Sequence, residues 1–178
     1  KIMSFRREEK LRVASGKIFQ LKKWINQNNG YVIYPTRIIN SVYFDNHNYS
    51  MYNESVEGVT PRKKIRLRSY DNHFAFNKKA NKEIKITSVE GRYKMSEPVK
   101  NSHNLVKLGI HDSNYGTCHP VLNVVYERSY YKINSARLTI DKKIIYRAVN
   151  NGRISKFSTS DNFDIVEIKY GLSQSVDD

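Results

Sequence analysis

The sequence predicts a mainly antiparallel β protein of the α+β class, and three observations carry that prediction. Four short segments alternate charged and apolar residues: Lys64-Ile65-Arg66-Leu67-Arg68, Glu83-Ile84-Lys85-Ile86, Arg137-Leu138-Thr139-Ile140-Asp141 and Val166-Glu167-Ile168-Lys169. Successive strand side chains point to opposite faces, so each segment has one apolar and one charged face. Further β-branched and aromatic runs are separated by turn signals, and only one long stretch repeats at helical spacing. Many strands with few helices point to an antiparallel sheet or barrel with helices attached.

Taken in order, Phe5 to Val13 reads as a first strand with Glu8, Lys10 and Arg12 on one face. Ser15 is a candidate N-cap for a helix to about Asn28, whose stripe of Ile18, Leu21, Trp24 and Ile25 reads as packing surface and which Gly30 would end. Ile38 to Phe44 is a strand, and Asp45 could cap a short helix carrying Tyr49 and Tyr52. A strand from Arg62 to Tyr70 ends at an Asp71-Asn72 turn. Lys82 to Thr87 and Arg92 to Met95 are strands around Gly91, Asn104 to Ile110 is a short helix, and Asp112 to Pro120 is turn-rich. Val121 to Tyr130, Ala136 to Asp141, Ile144 to Val149 and Phe163 to Tyr170 complete the strands, with a hairpin signal at Asn150-Asn151-Gly152.

Composition narrows the class. The chain's 178 residues suit one domain with a proper core rather than two. A net charge of +14 favours phosphate-rich partners or an anionic surface. Cys118 is the only cysteine, which excludes a disulfide framework and a thiolate zinc site and fits a reducing, cytoplasmic setting. No apolar stretch approaches the roughly 18 residues that span a bilayer, no signal peptide is visible, and no amphipathic basic helix stands out. Either terminus could have been trimmed from a longer protein.

Several chemistries are absent. There is no P-loop and no Gly-x-Gly-x-x-Gly turn. His47, His73, His103, His111 and His119 are scattered without ligand spacing. Adjacent Cys118 and His119 would point apart on an extended chain, against a nucleophile–base pair. Phe74-Ala75-Phe76 only faintly imitates the stacking aromatics of an RNA-binding sheet.

The alternating charges remain. Alternation alone describes an ordinary half-buried sheet with its charged faces in water. Arg66 and Arg68, however, stand one pleat apart on one face and repel unless an anion lies between them. Lys85, Arg128 and Arg137 add cations on other strands, and Tyr43 and Tyr126 add hydroxyls. Arg offers phosphate two parallel hydrogen bonds, Lys a mobile charge, and Glu among such cations suggests a hard divalent metal, Mg²⁺ or Mn²⁺. A closed barrel, charged inside, would strengthen these contacts by excluding water.

In order along nearly the whole chain, Phe5-Arg6-Arg7-Glu8-Glu9-Lys10, Ser41-Val42-Tyr43-Phe44-Asp45, Lys64 to Tyr70, Glu83-Ile84-Lys85, Val125-Tyr126-Glu127-Arg128, Arg137 to Asp141 and Val166-Glu167-Ile168-Lys169-Tyr170 resemble the VTC domain. This is the polyphosphate polymerase branch of the triphosphate tunnel metalloenzymes, related to CYTH phosphatases, and the chain looks like a bacterial stand-alone version. The resemblance implies an eight-stranded tunnel barrel with flanking helices, a single domain over 1–178, and transfer of the γ-phosphate of ATP onto inorganic polyphosphate. It implies that Arg66, Arg68, Lys85, Arg128 and Arg137 hold the triphosphate and product, and that Lys10, Lys94, Tyr126 and Lys169 contact substrate. Glu167 and Glu8 would be metal ligands, for Mn²⁺ or Mg²⁺, while Asp141 and Glu83 orient cations. It implies no nucleic-acid partner and leaves room for a membrane partner, the domain not itself spanning a membrane. One departure stands out: the family's Ser-Lys-Phe/Tyr element follows the glutamate strand, whereas Ser155-Lys156-Phe157 precedes Glu167, so its role is not carried over to Lys156. The competing functions are a tunnel triphosphatase, less favoured because glutamates are few, and a non-catalytic polyphosphate- or nucleic-acid-binding module.

Overall fold

The computed structural model describes residues 6–71, 79–100 and 102–171. The expectations at Phe5, Asn72, His73 and Phe74 to Phe76 lie outside them.

In chain order the elements are β1 (Arg6–Ala14), a 3₁₀ turn at Ser15–Lys17, α1 (Ile18–Gln27), β2 (Tyr31–Asp45), α2 (Ser50–Glu57), β3 (Arg62–Ser69), β4 (Ala80–Ser88) and β5 (Gly91–Val99). Then come α3 (His103–Leu108), β6 (Ile110–Asp112), β7 (Gly116–Ile133), β8 (Ala136–Asn150), β9 (Arg153–Ile154), β10 (Thr159–Ser160) and β11 (Phe163–Gly171). Backbone contacts divide the chain into two compact units. The first comprises 1–38, 126–144 and 160–178; the second comprises 39–125 and 145–159. The long strands β2, β7 and β8 each contribute residues to both.

In the first unit β1 pairs with β11 and β11 with β8, both antiparallel. The register sets Lys10 opposite Glu167, Glu8 opposite Lys169, and Thr139 on the other side of Glu167. The opposite parity of β8 and β11 supplies Leu138, Ile140 and Val166 to a core that Ile18, Ile25 and, from β7, Tyr131 complete. α1 supplies Ile18 and Ile25 to it, but Trp24, expected in the same packing stripe, is 51% exposed. Ser15 does not cap the helix; its hydroxyl donates instead to the Asn162 carbonyl. Gly30 N–H bonds the Ile25 carbonyl, and a Cβ at this glycine would collide with the Ile25 side chain.

In the second unit β2, β3, β4 and β5 follow one another antiparallel. Ile65 and Leu67 of β3 join Val42, Phe44, Met51, Val106, Cys118 and Val149 in a separate core, each large aliphatic contributing about 1.5–3 kcal/mol by burial. The Asp45 carboxylate accepts the N–H groups of Met51 and Tyr52, satisfying donors at the start of α2.

Some boundaries differ from expectation for identifiable reasons. β2 starts at Tyr31 rather than Ile38 because Tyr31-Val32-Ile33-Tyr34 already suits a strand, and Pro35 is tolerated where the strand is exposed. The supposed turn region 112–120 contains the β6–β7 hairpin, Ile110–Asp112 against Gly116–Cys118. The two strands expected over 136–149 are one strand, with Lys143 in the left-handed region at φ 51° where they meet. The turn at Asn151-Gly152 has φ of 49° and 72°, the double positive φ that favours an Asn-Gly pair. The main strand path has eight strands, as expected, but among the described residues it is an open ladder ending at β1 and β5 rather than a closed barrel.

Candidate functional site

The residues expected at the site fall into two groups, one in each unit.

The group in the second unit is centred on Glu83 of β4. The β3–β4 register puts Glu83 directly opposite Arg66. Its Oε2 lies 2.6 Å from Arg66 Nη2 and 3.6 Å from Arg68 Nη1, and its Oε1 accepts from Lys94 Nζ at 2.6 Å. The anion that lets two neighbouring guanidiniums coexist is thus supplied by the chain itself. Arg66 also donates to the Tyr43 hydroxyl at 3.0 Å, and Arg68 to Ser41 Oγ at 3.5 Å. Both arginines are buried, at 7% and 8% exposure, so both faces of β3 are covered and the charged face is not simply in water. Burial alone would raise the Glu83 carboxyl pKa, but the Lys94 hydrogen bond and the charges of Arg66 and Arg68 bring it down to about 2. Around this carboxylate the cations outnumber it. The registers of β3–β4 and β4–β5 also set Lys64, Lys85 and Lys94 in one row across three strands. Like charges placed directly opposite destabilise a sheet.

The group in the first unit is balanced. Arg128 of β7 makes a two-pronged ion pair with Asp141 of β8, Nε to Oδ1 and Nη2 to Oδ2 both at 2.6 Å, and its guanidinium lies 5.2 Å from the Tyr126 ring centroid. That bonding outweighs the effect of burial and raises the Arg128 pKa further. Beside it, Glu8 and Glu167 share two ammonium groups. Lys10 Nζ is 3.7 Å from each carboxylate, and Lys169 Nζ is 2.6 Å from Glu167 and 3.8 Å from Glu8. Burial favours the neutral form of Glu167, but Lys169, then Lys10 and Arg128, lower its pKa overall. Arg137, expected to hold phosphate, is exposed at the start of β8 opposite Lys169.

A divalent cation fits the Glu8–Glu167 pair on the chemistry of its donors. Mg²⁺ and Mn²⁺ take oxygen ligands, and Mg²⁺ commonly uses only one or two carboxylates, completing its shell with water and substrate phosphates. Both lysines between the carboxylates are about half exposed and can swing into solvent. Thr139, opposite Glu167, adds a buried hydroxyl with no hydrogen-bond partner. Among the described residues no three His, Cys, Asp or Glu side chains gather as a metal cage. Asp141 and Glu83 are bonded to cations and are poor candidates for ligands.

The expected residues are therefore grouped as Arg66, Arg68, Lys85 and Lys94 in the second unit, and Glu8, Lys10, Tyr126, Arg128, Arg137, Glu167 and Lys169 in the first. Ser41 and Thr139 were missed as site residues; each shares strand parity with a residue that was named, Tyr43 and Arg137, and that parity was the available signal. Ser155-Lys156-Phe157 lies in irregular chain between β9 and β10, with Phe157 88% exposed.

The strand order and flanking helices define the class of fold, a mainly antiparallel sheet with helices attached. The chain belongs to the VTC domain family, whose model matches residues 5–176. Among solved structures, a candidate adenylate cyclase from Vibrio parahaemolyticus shares the fold at a TM-score of 0.53 and 13% identity, covering 97% of this chain and 79% of that one. A candidate adenylyl cyclase from Hippeastrum, described as having a dominant triphosphatase activity, matches at a TM-score of 0.47 and 13% identity over 93% of this chain and 79% of that one. No curated protein sequence matches the chain. Among the described residues no helix is long and apolar enough to cross a membrane.

Proposed function

We propose that this chain is a metal-assisted polyphosphate polymerase that transfers the γ-phosphate of ATP onto a growing inorganic polyphosphate chain, in a cytoplasmic setting. The observation that carries the reading is the lysine row Lys64, Lys85 and Lys94 beside the buried Arg66–Arg68 pair, with Glu83 as the carboxylate shared by Arg66, Arg68 and Lys94. A surface so biased toward cations suits a linear polyanion whose repeat is a phosphate, and a nucleic acid is not the expected partner.

In this reading Arg66, Arg68, Lys85 and Lys94 hold phosphoryl oxygens, with Glu83 and Tyr43 fixing the guanidiniums in place. Arg128, Arg137, Lys10, Lys169 and the Tyr126 hydroxyl contact phosphates in the same way, and Asp141 holds Arg128 in a fixed plane. Glu167 and Glu8 would hold Mn²⁺ or Mg²⁺, which would supply neutralising charge to the phosphates. A terminal phosphate oxygen of the polymer attacks the γ-phosphorus of ATP, the bond to the β,γ-bridging oxygen breaks, and ADP leaves. The attacking oxygen is already ionised, so the step needs positioning and charge rather than a general base.

The test is incubation of the protein with ATP and Mn²⁺, resolving products on a gel stained for polyphosphate, beside Glu167→Ala and Arg66→Ala. A polymer ladder that vanishes in both variants supports the polymerase. Phosphate release without polymer would replace it with a triphosphatase. Salt-sensitive polyphosphate binding without turnover would leave a binding module.

A further inference from the structure

The outward side of α1 carries an exposed aromatic pair on a stretch of chain without acidic residues. Phe19 is 77% exposed and Trp24 51% exposed, although both lie on a helix whose inward side packs Ile18 and Ile25 into the core. At 3.6 residues per turn the two rings stand about 140° apart, on either side of an arc that contains Lys23. Lys17 precedes the helix on the flank of Trp24, and Lys17 and Lys23 are both exposed. No Asp or Glu occurs between Glu9 and Asp45, while Lys10, Arg12, Lys17, Lys22, Lys23 and Arg37 do. Shortly after the helix, Tyr31 and Val32 are exposed as well.

We propose that this face of α1 docks on an anionic lipid surface, with Phe19 and Trp24 entering the headgroup layer and Lys17 and Lys23 meeting lipid phosphates. Large apolar rings exposed on a helix gain little in water, whereas Trp has a known preference for the interface between headgroups and acyl chains. Basic residues beside them add electrostatic attraction to anionic leaflets, and the helix itself carries no acidic residue. A nucleic acid fits less well, because rings set so far apart around a helix form no continuous stacking platform. The inference is independent of catalysis.

Trp24 is the only tryptophan of the chain, so its fluorescence reports on this face alone. The full chain is titrated with vesicles of phosphatidylcholine and with vesicles of phosphatidylcholine mixed with phosphatidylglycerol. The expected result is a blue shift on the anionic vesicles only, with quenching by bromine-labelled acyl chains. Lys17→Gln with Lys23→Gln weakens binding roughly 20- to 30-fold, and Phe19→Ser weakens it about 5- to 10-fold. These side chains are exposed, and circular dichroism checks that the variants fold. Binding that leaves Trp24 unshifted and unquenched and ignores these substitutions overturns the proposal, since another basic surface would then be responsible. So does a Trp24 shift produced by duplex RNA but not by anionic vesicles.

Discussion

The two charged groups use the same residue types to different ends. Around Glu83 one carboxylate serves Arg66, Arg68 and Lys94, and the two guanidiniums are buried. Around Glu8 and Glu167, carboxylates and cations balance, and the lysines between them reach solvent. Removing Glu83 would strand two buried positive charges, whereas removing Glu167 lets Lys169 turn to water. The difference shows that a carboxylate in a basic site can be scaffold or ligand, and that the exposure of its partners separates the two.

The largest expected effect follows directly. Glu83→Gln should destabilise the fold by about 3–5 kcal/mol, the range for breaking a buried ion pair on one side, while Glu167→Gln should cost clearly less, because its partners Lys10 and Lys169 are about half exposed and can turn to water. Denaturant unfolding of both variants measures the gap. Equal losses would end the distinction between scaffold and ligand.

Acid titration sharpens the same contrast. The Glu83 pKa is lowered to about 2 from 4.5, so its ion pairs stabilise the fold fully above the unfolded value and are lost as pH falls from about 4.5 toward 2. The linked stability is on the order of 3 kcal/mol. Wild type should therefore lose its advantage over Glu83→Gln across that window. A stability difference that stays constant with pH would show that the carboxylate is not held ionised by its neighbours.

Arg128→Lys comes next, because Lys offers one point charge where Asp141 now takes two parallel bonds at 2.6 Å. A loss of about 2 kcal/mol is expected in unfolding experiments, and the double variant with Asp141→Asn should recover part of it. No recovery would mean that Arg128 is held by its surroundings rather than by this pair.

Much of this was legible in the sequence. The period-2 alternation placed Arg66, Arg68, Glu167 and Lys169 on charged faces because apolar neighbours such as Leu67 and Val166 fix the register of each strand. The capping role of Asp45 and the turn at Asn151-Gly152 were readable for a similar reason: their chemistry is local. Pairing across strands was not readable. That Glu83 answers Arg66 and Arg68, and that Lys64, Lys85 and Lys94 align, depends on registers that one strand's pattern cannot supply. The outward position of Trp24 was hidden because helical spacing assigned it to the apolar stripe, while packing took only the central part of that stripe.

The smallest effect probes the balanced group. Lys169 is the nearer of the two ammonium groups to Glu167, at 2.6 Å, and lies between that carboxylate and Glu8, so a divalent cation must displace it to use both. Lys169→Met removes the competitor without touching the ligands. Because the lysine is about half exposed, its hold is weak, and removing it should tighten Mn²⁺ binding only about 5-fold in the absence of substrate. Calorimetry or manganese relaxation measures this directly. The same substitution at Lys94, beside Glu83, should leave Mn²⁺ affinity unchanged, because Arg66 and Arg68 still occupy that carboxylate. If both substitutions tightened Mn²⁺ equally, the gain would come from net charge alone, and the contrast between the two groups would lose its chemical meaning.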